Sequence, residues 1–179
     1  MRLFFSLKLL VASAFLFSSC SNNNDGIYVS TSGEGSVVID YGSPSYLYRM
    51  VLFTVDTQQD IYLMGYSAYV NADAEFKGQG AVVRLTIPNN EESSTLEAQS
   101  FDIASDGYAV SYSPYVNYSA AEGEEDFASI ESGTVIIRKS GSFYDVRLLG
   151  TNQEGQNVIV AYRGYIYRTL SQSPDAAVR

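Results

Sequence analysis

The 179-residue chain contains no histidine, no tryptophan and a single cysteine, Cys20. Without histidine, neither a Ser-His-Asp triad nor a Cys-His pair can form, and the usual general base is missing. Ordinary zinc sites, which need histidine or cysteine ligands, are excluded for the same reason. A lone cysteine also rules out an internal disulfide. Hydrolases of the common nucleophilic kinds are therefore excluded.

Carboxylates are the remaining candidates for catalysis, because glycoside hydrolysis needs only two of them at a set separation. Six lie on or beside predicted strands, and their spacing singles out no pair: Asp40, Asp56, Asp60, Asp73, Asp102 and Asp145. The densest acidic run comprises Glu122, Glu124, Glu125 and Asp126, without the spacing of a 12-residue calcium loop, and we interpret it as a solvated loop. We predict a non-catalytic protein without a metal or cofactor.

Positive charge is scarce: the chain has 11 Lys and Arg against 20 Asp and Glu, and its net charge is −9. Loss of Arg2 and Lys8 with a cleaved signal would remove two more positive charges and leave −11. Nucleic acid is not an expected partner, because binding to phosphates depends on clustered cations. Anionic lipid heads would also be repelled, so contact with a membrane needs a separate anchor.

The N-terminal segment has a basic start, a short apolar run and small residues before the cysteine. Arg2 and Lys8 begin the segment, Leu9–Phe17 is apolar, and two serines precede Cys20. The run is shorter than the roughly 18 apolar residues of a membrane-spanning helix. The pattern predicts a signal peptide over residues 1–19.

The residues Phe17-Ser18-Ser19-Cys20 resemble the lipobox of bacterial lipoproteins. This resemblance implies that the thiol of Cys20 carries a diacylglyceryl group. The polar tract Ser21–Gly26 is similar to the tether of surface lipoproteins from Bacteroides-type bacteria. We therefore expect a flexible tether over 20–35 and a lipid anchor in the outer membrane at the cell surface, with its periplasmic face as the alternative.

From Ser36 onward, apolar and polar residues alternate in short runs separated by turn residues, which is typical of half-buried strands. The pattern predicts one all-β domain over 36–170 and a flexible tail over 171–179. About eight to ten antiparallel strands must close into a barrel or stack as two sheets to protect their edges. Long strands joined by short turns favour a calycin-like barrel, with a β-sandwich as the alternative.

In the last third of the domain, the alternating pattern predicts a three-stranded antiparallel meander over Thr134–Lys139, Phe143–Gly150 and Asn157–Tyr167. Its outward face would carry Arg138, Arg147 and Arg163. Its inward face would carry Val135, Ile137, Tyr144, Val146, Leu148, Val158, Val160, Tyr162 and Ile166. The segments Thr134–Gly141, Tyr144–Val146, Gly155-Gln156 and Tyr162–Ile166 are similar to the closing meander of small Bacteroides-type lipoproteins. This resemblance implies an all-β lipoprotein and no particular chemistry.

Turn residues elsewhere give three further predictions. Ser105-Asp106-Gly107 separates two apolar runs and predicts a tight hairpin. The segments Gly33-Glu34-Gly35 and Gly78-Gln79-Gly80 complete no phosphate-binding loop, so we interpret both as turns. Pro114 is expected at a strand edge or a bend.

Tyrosine is abundant, with 15 residues, and four lie close together in sequence: Tyr108, Tyr112, Tyr115 and Tyr118. A tyrosine ring has an apolar face and a polar tip, which suits stacking on sugars or anchoring a protein interface. Tyrosine is equally typical of strands for structural reasons. We predict a lipid-anchored protein that binds a glycan or an envelope protein through these four residues. The alternatives are a barrel that carries a small apolar ligand and a structural subunit of an envelope or fimbrial assembly.

Overall fold

Strands and turns, without a helix, make up the residues that the computed structural model describes: 33–55, 57–71, 73–89, 94–105, 107–118 and 127–170. The strands are β1 (Gly33–Ile39), β2 (Ser45–Leu47), β3 (Arg49–Val55), β4 (Gln58–Met64), β5 (Tyr69–Val70), β6 (Phe76–Lys77), β7 (Gln79–Pro88), β8 (Gln99–Asp102), β9 (Ala109–Asn117), β10 (Ala128–Ser140), β11 (Phe143–Asn152) and β12 (Asn157–Leu170). The predicted all-β fold is confirmed. The predicted signal peptide, Cys20, the tail and the acidic run lie outside the described residues.

Seven strands close into a barrel in the order β12-β3-β4-β7-β9-β10-β11, with β11 pairing back to β12. The preference for a barrel is confirmed, and so is the β10-β11-β12 meander. The pairing of β12 with β3 is parallel, whereas the other barrel pairings are antiparallel. More strands form than predicted, in part because the chain is interrupted at Tyr48, between β2 and β3, and again after Met64, between β4 and β5.

Two strands, β10 and β12, change neighbours along their length. The first residues of β10 pair with β9, while Thr134–Ile137 pairs with β8. Strand β12 pairs first with β1 and then, from Ile166, with β3. A register shift marks each change, between Ile130 and Ser132 and between Ile166 and Arg168. These irregularities turn the chain at two corners of the barrel.

The corners divide the barrel into two sheets that share β10 and β12. The front sheet has the order β2-β1-β12-β11-β10-β8, and the back sheet has the order β12-β3-β4-β7-β9-β10. Between them, the inward side chains form one cluster of buried residues in the interior. It contains the predicted inward residues of the meander: Val135, Ile137, Tyr144, Val146, Leu148, Val158, Val160 and Tyr162. Ile166 is partly buried against this cluster.

A second, smaller core covers the outer face of the back sheet. Phe53, Tyr62 and Met64 pack there beneath residues of the segment that holds the β5-β6 hairpin. Aromatic contacts hold that hairpin against the sheet: the centroid of the Phe76 ring lies 4.9 Å from that of Tyr62 and 6.0 Å from that of Phe53. Strands β3 and β4 are thus covered on both faces, which explains the uninterrupted apolar runs Met50–Phe53 and Ile61–Met64.

The predicted hairpin at Ser105-Asp106-Gly107 is wrong, although the chain does reverse there. The amide of Ser105 donates to the carbonyl of Asp102 at 3.0 Å, and that of Tyr108 donates to Ser105 at 3.2 Å. However, β8 pairs with β10, whereas β9 pairs with β7 and β10. A local turn sets the reversal but does not determine which strand becomes the hydrogen-bonded neighbour.

The segment Gly33-Glu34-Gly35 is not a turn but the start of β1, inside the segment predicted as a tether. It pairs with Gly164, Arg163 and Tyr162 of β12. A Cβ atom on Gly35 would lie 2.3 Å from the Ala161 carbonyl oxygen, so the glycine permits a close approach of two backbones. Gly78, by contrast, occupies a bend before β7 with a φ of +81°, and Gln79 and Gly80 continue into that strand.

We predict that Gly133→Ala destabilises the fold, because Gly133 lies at the β10 corner with a φ of +138°. An added Cβ atom would lie 2.3 Å from the Leu149 carbonyl oxygen and 2.4 Å from the Gly150 Cα atom. Backbone cannot move aside as a side chain can, so the free energy of unfolding should fall by ~2–4 kcal/mol in urea titrations.

The matched control is Gly141→Ala, in the open turn between β10 and β11. Gly141 also has a positive φ, +62°, but no atom lies within 4 Å of its added Cβ. Only the cost of a left-handed backbone conformation for alanine applies, which should lower the free energy of unfolding by about 1–2 kcal/mol. Equal losses in the two variants would contradict the proposed crowding at the corner.

Candidate functional site

The structure does not bring the four predicted ligand-binding tyrosines together. Tyr112 lies in the barrel interior with 3% of its surface exposed, and its hydroxyl accepts a hydrogen bond from Asn152 Nδ2 at 2.9 Å. Because alternate residues of a strand face opposite sides, its neighbours along β9 cannot share its environment. Tyr112 is therefore a core residue that cannot present its ring to an external ligand.

The flanking tyrosines are also used in packing. Tyr108 is half-buried and stacks on Phe101, with 4.2 Å between ring centroids. Tyr118 is half-buried in the second core and stacks on Phe76 at 4.9 Å. Only Tyr115 is exposed among the four, with 59% of its surface accessible.

Tyr115 lies in a groove with three other tyrosines that are distant in sequence. We call this the tyrosine groove; its volume is about 350 Å³. It is lined by Ser45, Tyr46, Tyr48, Gly65, Tyr66, Ser67, Gln79, Gly80, Ala81 and Tyr115. Barrel closure brings these residues together from β2, the turn after β4, β7 and β9.

The rings of the tyrosine groove are arranged at angles to one another. Tyr48 meets Tyr66 edge-on at 5.7 Å and 81°, and lies 6.5 Å from Tyr46 at a tilt of 40°. Such tilted and edge-on contacts hold aromatic rings in place without stacking them face to face. Tyr46 and Tyr66 remain 59% and 58% exposed.

A bulge in β9 directs Tyr115 into the tyrosine groove. Gly80 pairs with Val116 and Val82 pairs with Ser113, so Pro114 and Tyr115 together lie opposite one residue of β7. Pro114 thus occupies the bend that the sequence predicts. The Tyr115 hydroxyl donates to Gln79 Oε1 at 2.7 Å, which fixes the ring across the two strands. Bulges commonly reorient a side chain in this way.

Arg49 supports the groove from beneath and is itself only 5% exposed. Its Nη1 donates to the carbonyl oxygens of Tyr66 and Ala68 at 2.5 and 3.1 Å, and lies 3.5 Å from that of Gly65. The guanidinium also lies over the Tyr167 ring, 5.9 Å from its centroid. A buried guanidinium must be satisfied in this way, so Arg49 fixes the turn that presents Tyr66. No sequence motif indicates this role.

A second concave surface, the front groove, lies on the outer face of the front sheet and has a volume of about 900 Å³. Strand registers align Tyr46, Ser36, Ala161 and Arg147 in one row across four strands. The small residues Ser36 and Ala161 form its floor, between the large side chains at either end. Leu149 is 63% exposed and Ile159 is 38% exposed, and together they line one side.

Charged groups line the other side of the front groove. Asp145 accepts hydrogen bonds from Arg147 Nε at 2.9 Å and from Arg163 Nε at 3.1 Å. The hydrogen bonds from Arg147, with those from Arg163, hold the pKa of the Asp145 carboxyl below its ordinary value. Arg138, Arg147 and Arg163 are all exposed on this face, as the meander pattern predicts.

Neither a metal site nor a membrane helix is found among the described residues. No group of three or more His, Cys, Asp or Glu side chains there is arranged to hold a metal ion. The same part of the chain contains no helix with the length and apolar character needed to cross a membrane.

We predict that Arg49→Met lowers the free energy of unfolding by about 3 kcal/mol, because the buried carbonyls of the 65–68 turn lose their donor. Hydrogen exchange should accelerate in that turn, and Arg49→Lys should restore part of the protection. The control is Arg138→Met on the exposed face of β10, which should change stability by no more than about 0.5 kcal/mol. Equal effects of Arg49→Met and the control would refute the supporting role.

Comparison of the chain with protein-family models, with curated proteins and with solved structures finds no match.

Proposed function

We propose that this chain is a non-catalytic, lipid-anchored envelope protein that binds a glycan through the tyrosine groove. The observation that carries the proposal is the convergence of Tyr46, Tyr48, Tyr66 and Tyr115 from separate strands around one shallow groove. Of the tyrosines chosen from sequence, only Tyr115 belongs to this site.

The chemistry of the groove matches that of a sugar. A pyranose has apolar C–H faces that stack on aromatic rings, and a rim of hydroxyls that need hydrogen-bond partners. The exposed faces of Tyr46, Tyr66 and Tyr115 supply the stacking surface. Ser45, Ser67 and Gln79 lie between them and supply hydroxyl and amide groups. A few polar groups among aromatic walls are typical of small-ligand sites.

The size of the site favours a glycan over a folded protein partner. A stable protein interface buries about 800 Å² on each partner. The tyrosine groove is instead small, with a volume of about 350 Å³, and the small residues Gly65, Gly80 and Ala81 in its lining admit a thin ligand close to the backbone. The cluster of buried apolar side chains inside the barrel weighs against the alternative of a carrier for an apolar ligand, and no particular observation favours a structural subunit.

The carboxylates near the two grooves support a role in binding without catalysis. None of the described residues lining the tyrosine groove is an Asp or Glu. In the front groove, Asp145 is paired with two arginines, and its lowered pKa is the opposite of what a general acid needs. Glu34, the other acid there, has no second carboxylate free to act with it.

We predict that the double variant Tyr66→Ala/Tyr115→Ala reduces glycan affinity about tenfold or more, because each lost stacking contact contributes about 1 kcal/mol. A glycan array should identify the ligand with purified wild-type protein, and titration calorimetry should then compare the variants. Neither side chain belongs to a buried core cluster, so the variant should unfold at nearly the wild-type temperature.

The matched control is Tyr41→Ala, which removes a ring that is 80% exposed and does not line either groove. It should bind as wild type does. Retention of full affinity in the double variant would place the glycan elsewhere. If the array shows no binding and the native envelope yields a protein partner whose capture needs these tyrosines, the glycan proposal is wrong.

We predict that mass spectrometry of the native protein finds a mature chain that begins at Cys20 with a diacylglyceryl group on its sulfur. Cys20→Ser should abolish this modification, because serine has no thiol to carry the diacylglyceryl group. Protease added to intact cells should degrade a surface-displayed domain. An unmodified sulfur or an uncleaved leader on the wild-type protein would overturn the proposed anchor.

A further inference from the structure

We infer that the ligand is an extended linear oligosaccharide that lies along both grooves and crosses from one to the other over Tyr46. This inference rests on the proposed function of the tyrosine groove and specifies its ligand class. The alternative within that function is a single sugar or chain terminus held by the tyrosine groove alone.

The two grooves meet at one residue. Tyr46 lines both, projecting from β2 at the edge of the front sheet. Its ring is 59% exposed, so a sugar stacked on it can contact surfaces on either side. The next residue in register on the front sheet is Ser36, which begins the floor of the front groove.

The front groove has the length and shape for a chain of sugars. The row from Tyr46 through Ser36 and Ala161 to Arg147 crosses three inter-strand spacings, which is about 14 Å. Small side chains keep the middle of this row low. A flexible chain laid along it would stay in contact with protein throughout.

The walls of the front groove present the two kinds of contact that a neutral sugar uses. Leu149 and Ile159 pair across β11 and β12 and expose apolar surface toward the C–H faces of a sugar. Opposite them, Arg147 and Arg163 are held by Asp145, and their side chains are 49% and 58% exposed. Within the described residues, the Nη1 groups of both arginines make no hydrogen bond, so they can donate to sugar hydroxyls.

The charges along the groove favour a neutral chain over an acidic one. Two arginines there face two carboxylates, Asp145 and Glu34, so the lining has no net positive charge. An acidic chain would also be repelled by the protein, because the protein has a net charge of −9. Fixed, paired charges can orient hydroxyl groups without requiring a charge on the ligand.

The test is a glycan array that contains linear chains of graded length, both neutral and uronic-acid-containing, followed by calorimetry with soluble chains of the best binder. For wild type, affinity should rise about tenfold or more from the shortest to the longest neutral chain. Ala161→Phe places a ring on the exposed floor of the front groove. It should abolish this gain while leaving the affinity for the shortest chain unchanged.

Two further variants make the outcome decisive. Tyr46→Ala should weaken binding of short and long chains alike, since its ring belongs to both grooves. Ser129→Phe adds the same ring at an exposed position of β10 that lines neither groove, and should bind as wild type does.

Affinity that is independent of chain length, or a length dependence that Ala161→Phe leaves intact, would overturn this inference while the proposed function stands. Tighter binding of uronic-acid chains that weakens at about 1 M salt would overturn the choice of a neutral ligand. No binding to any chain, long or short, would overturn the proposed function and this inference together.

Discussion

The need to protect strand edges governs this structure, and β10 and β12 meet it by belonging to two sheets at once. Each strand pairs with one set of neighbours before a register shift and another set after it. Because both corners are made by the chain itself, the front and back sheets close around one interior without a separate linker. Ladder hydrogen bonds thereby continue around seven strands, and no barrel strand is left at an edge.

Closure also creates the candidate site, which belongs to no single element. Strand β2 reaches the tyrosine groove from the front sheet, whereas Tyr66, Gln79 and Tyr115 come from the back sheet. The buried guanidinium of Arg49 then holds the turn that carries Tyr66. The rings are therefore positioned by hydrogen bonds and backbone pairing that a ligand does not need to supply, which lowers the entropic cost of binding.

Patterns of period two were sufficient to predict the all-β fold and the inward residues of the meander, because burial on one face leaves a direct trace in sequence. For the candidate site, the sequence predicted the residue type, tyrosine, but not which tyrosines lie together. Tyr112 and Tyr115 are close in sequence, yet strand alternation and a bulge send one into the core and the other into the groove. Tyr46 and Tyr66 join Tyr115 through long-range pairing, which local patterns do not encode. The prediction of a hairpin after β8 was wrong for the same reason, because the pairing partners of β8 and β9 are distant in sequence.

The parallel pairing of β3 with β12 has a consequence for how the chain reaches its native state. Met50–Phe53 can complete its hydrogen bonds only when Ile166–Leu170, near the other end of the described chain, is present. Strand β1 depends on β12 as well. During synthesis, β1 and β3 therefore each lack one of their pairing partners, and apolar side chains stay exposed, until β12 has been made. Such nonlocal assembly is slow, and the apolar surface that stays exposed in the meantime is prone to aggregation.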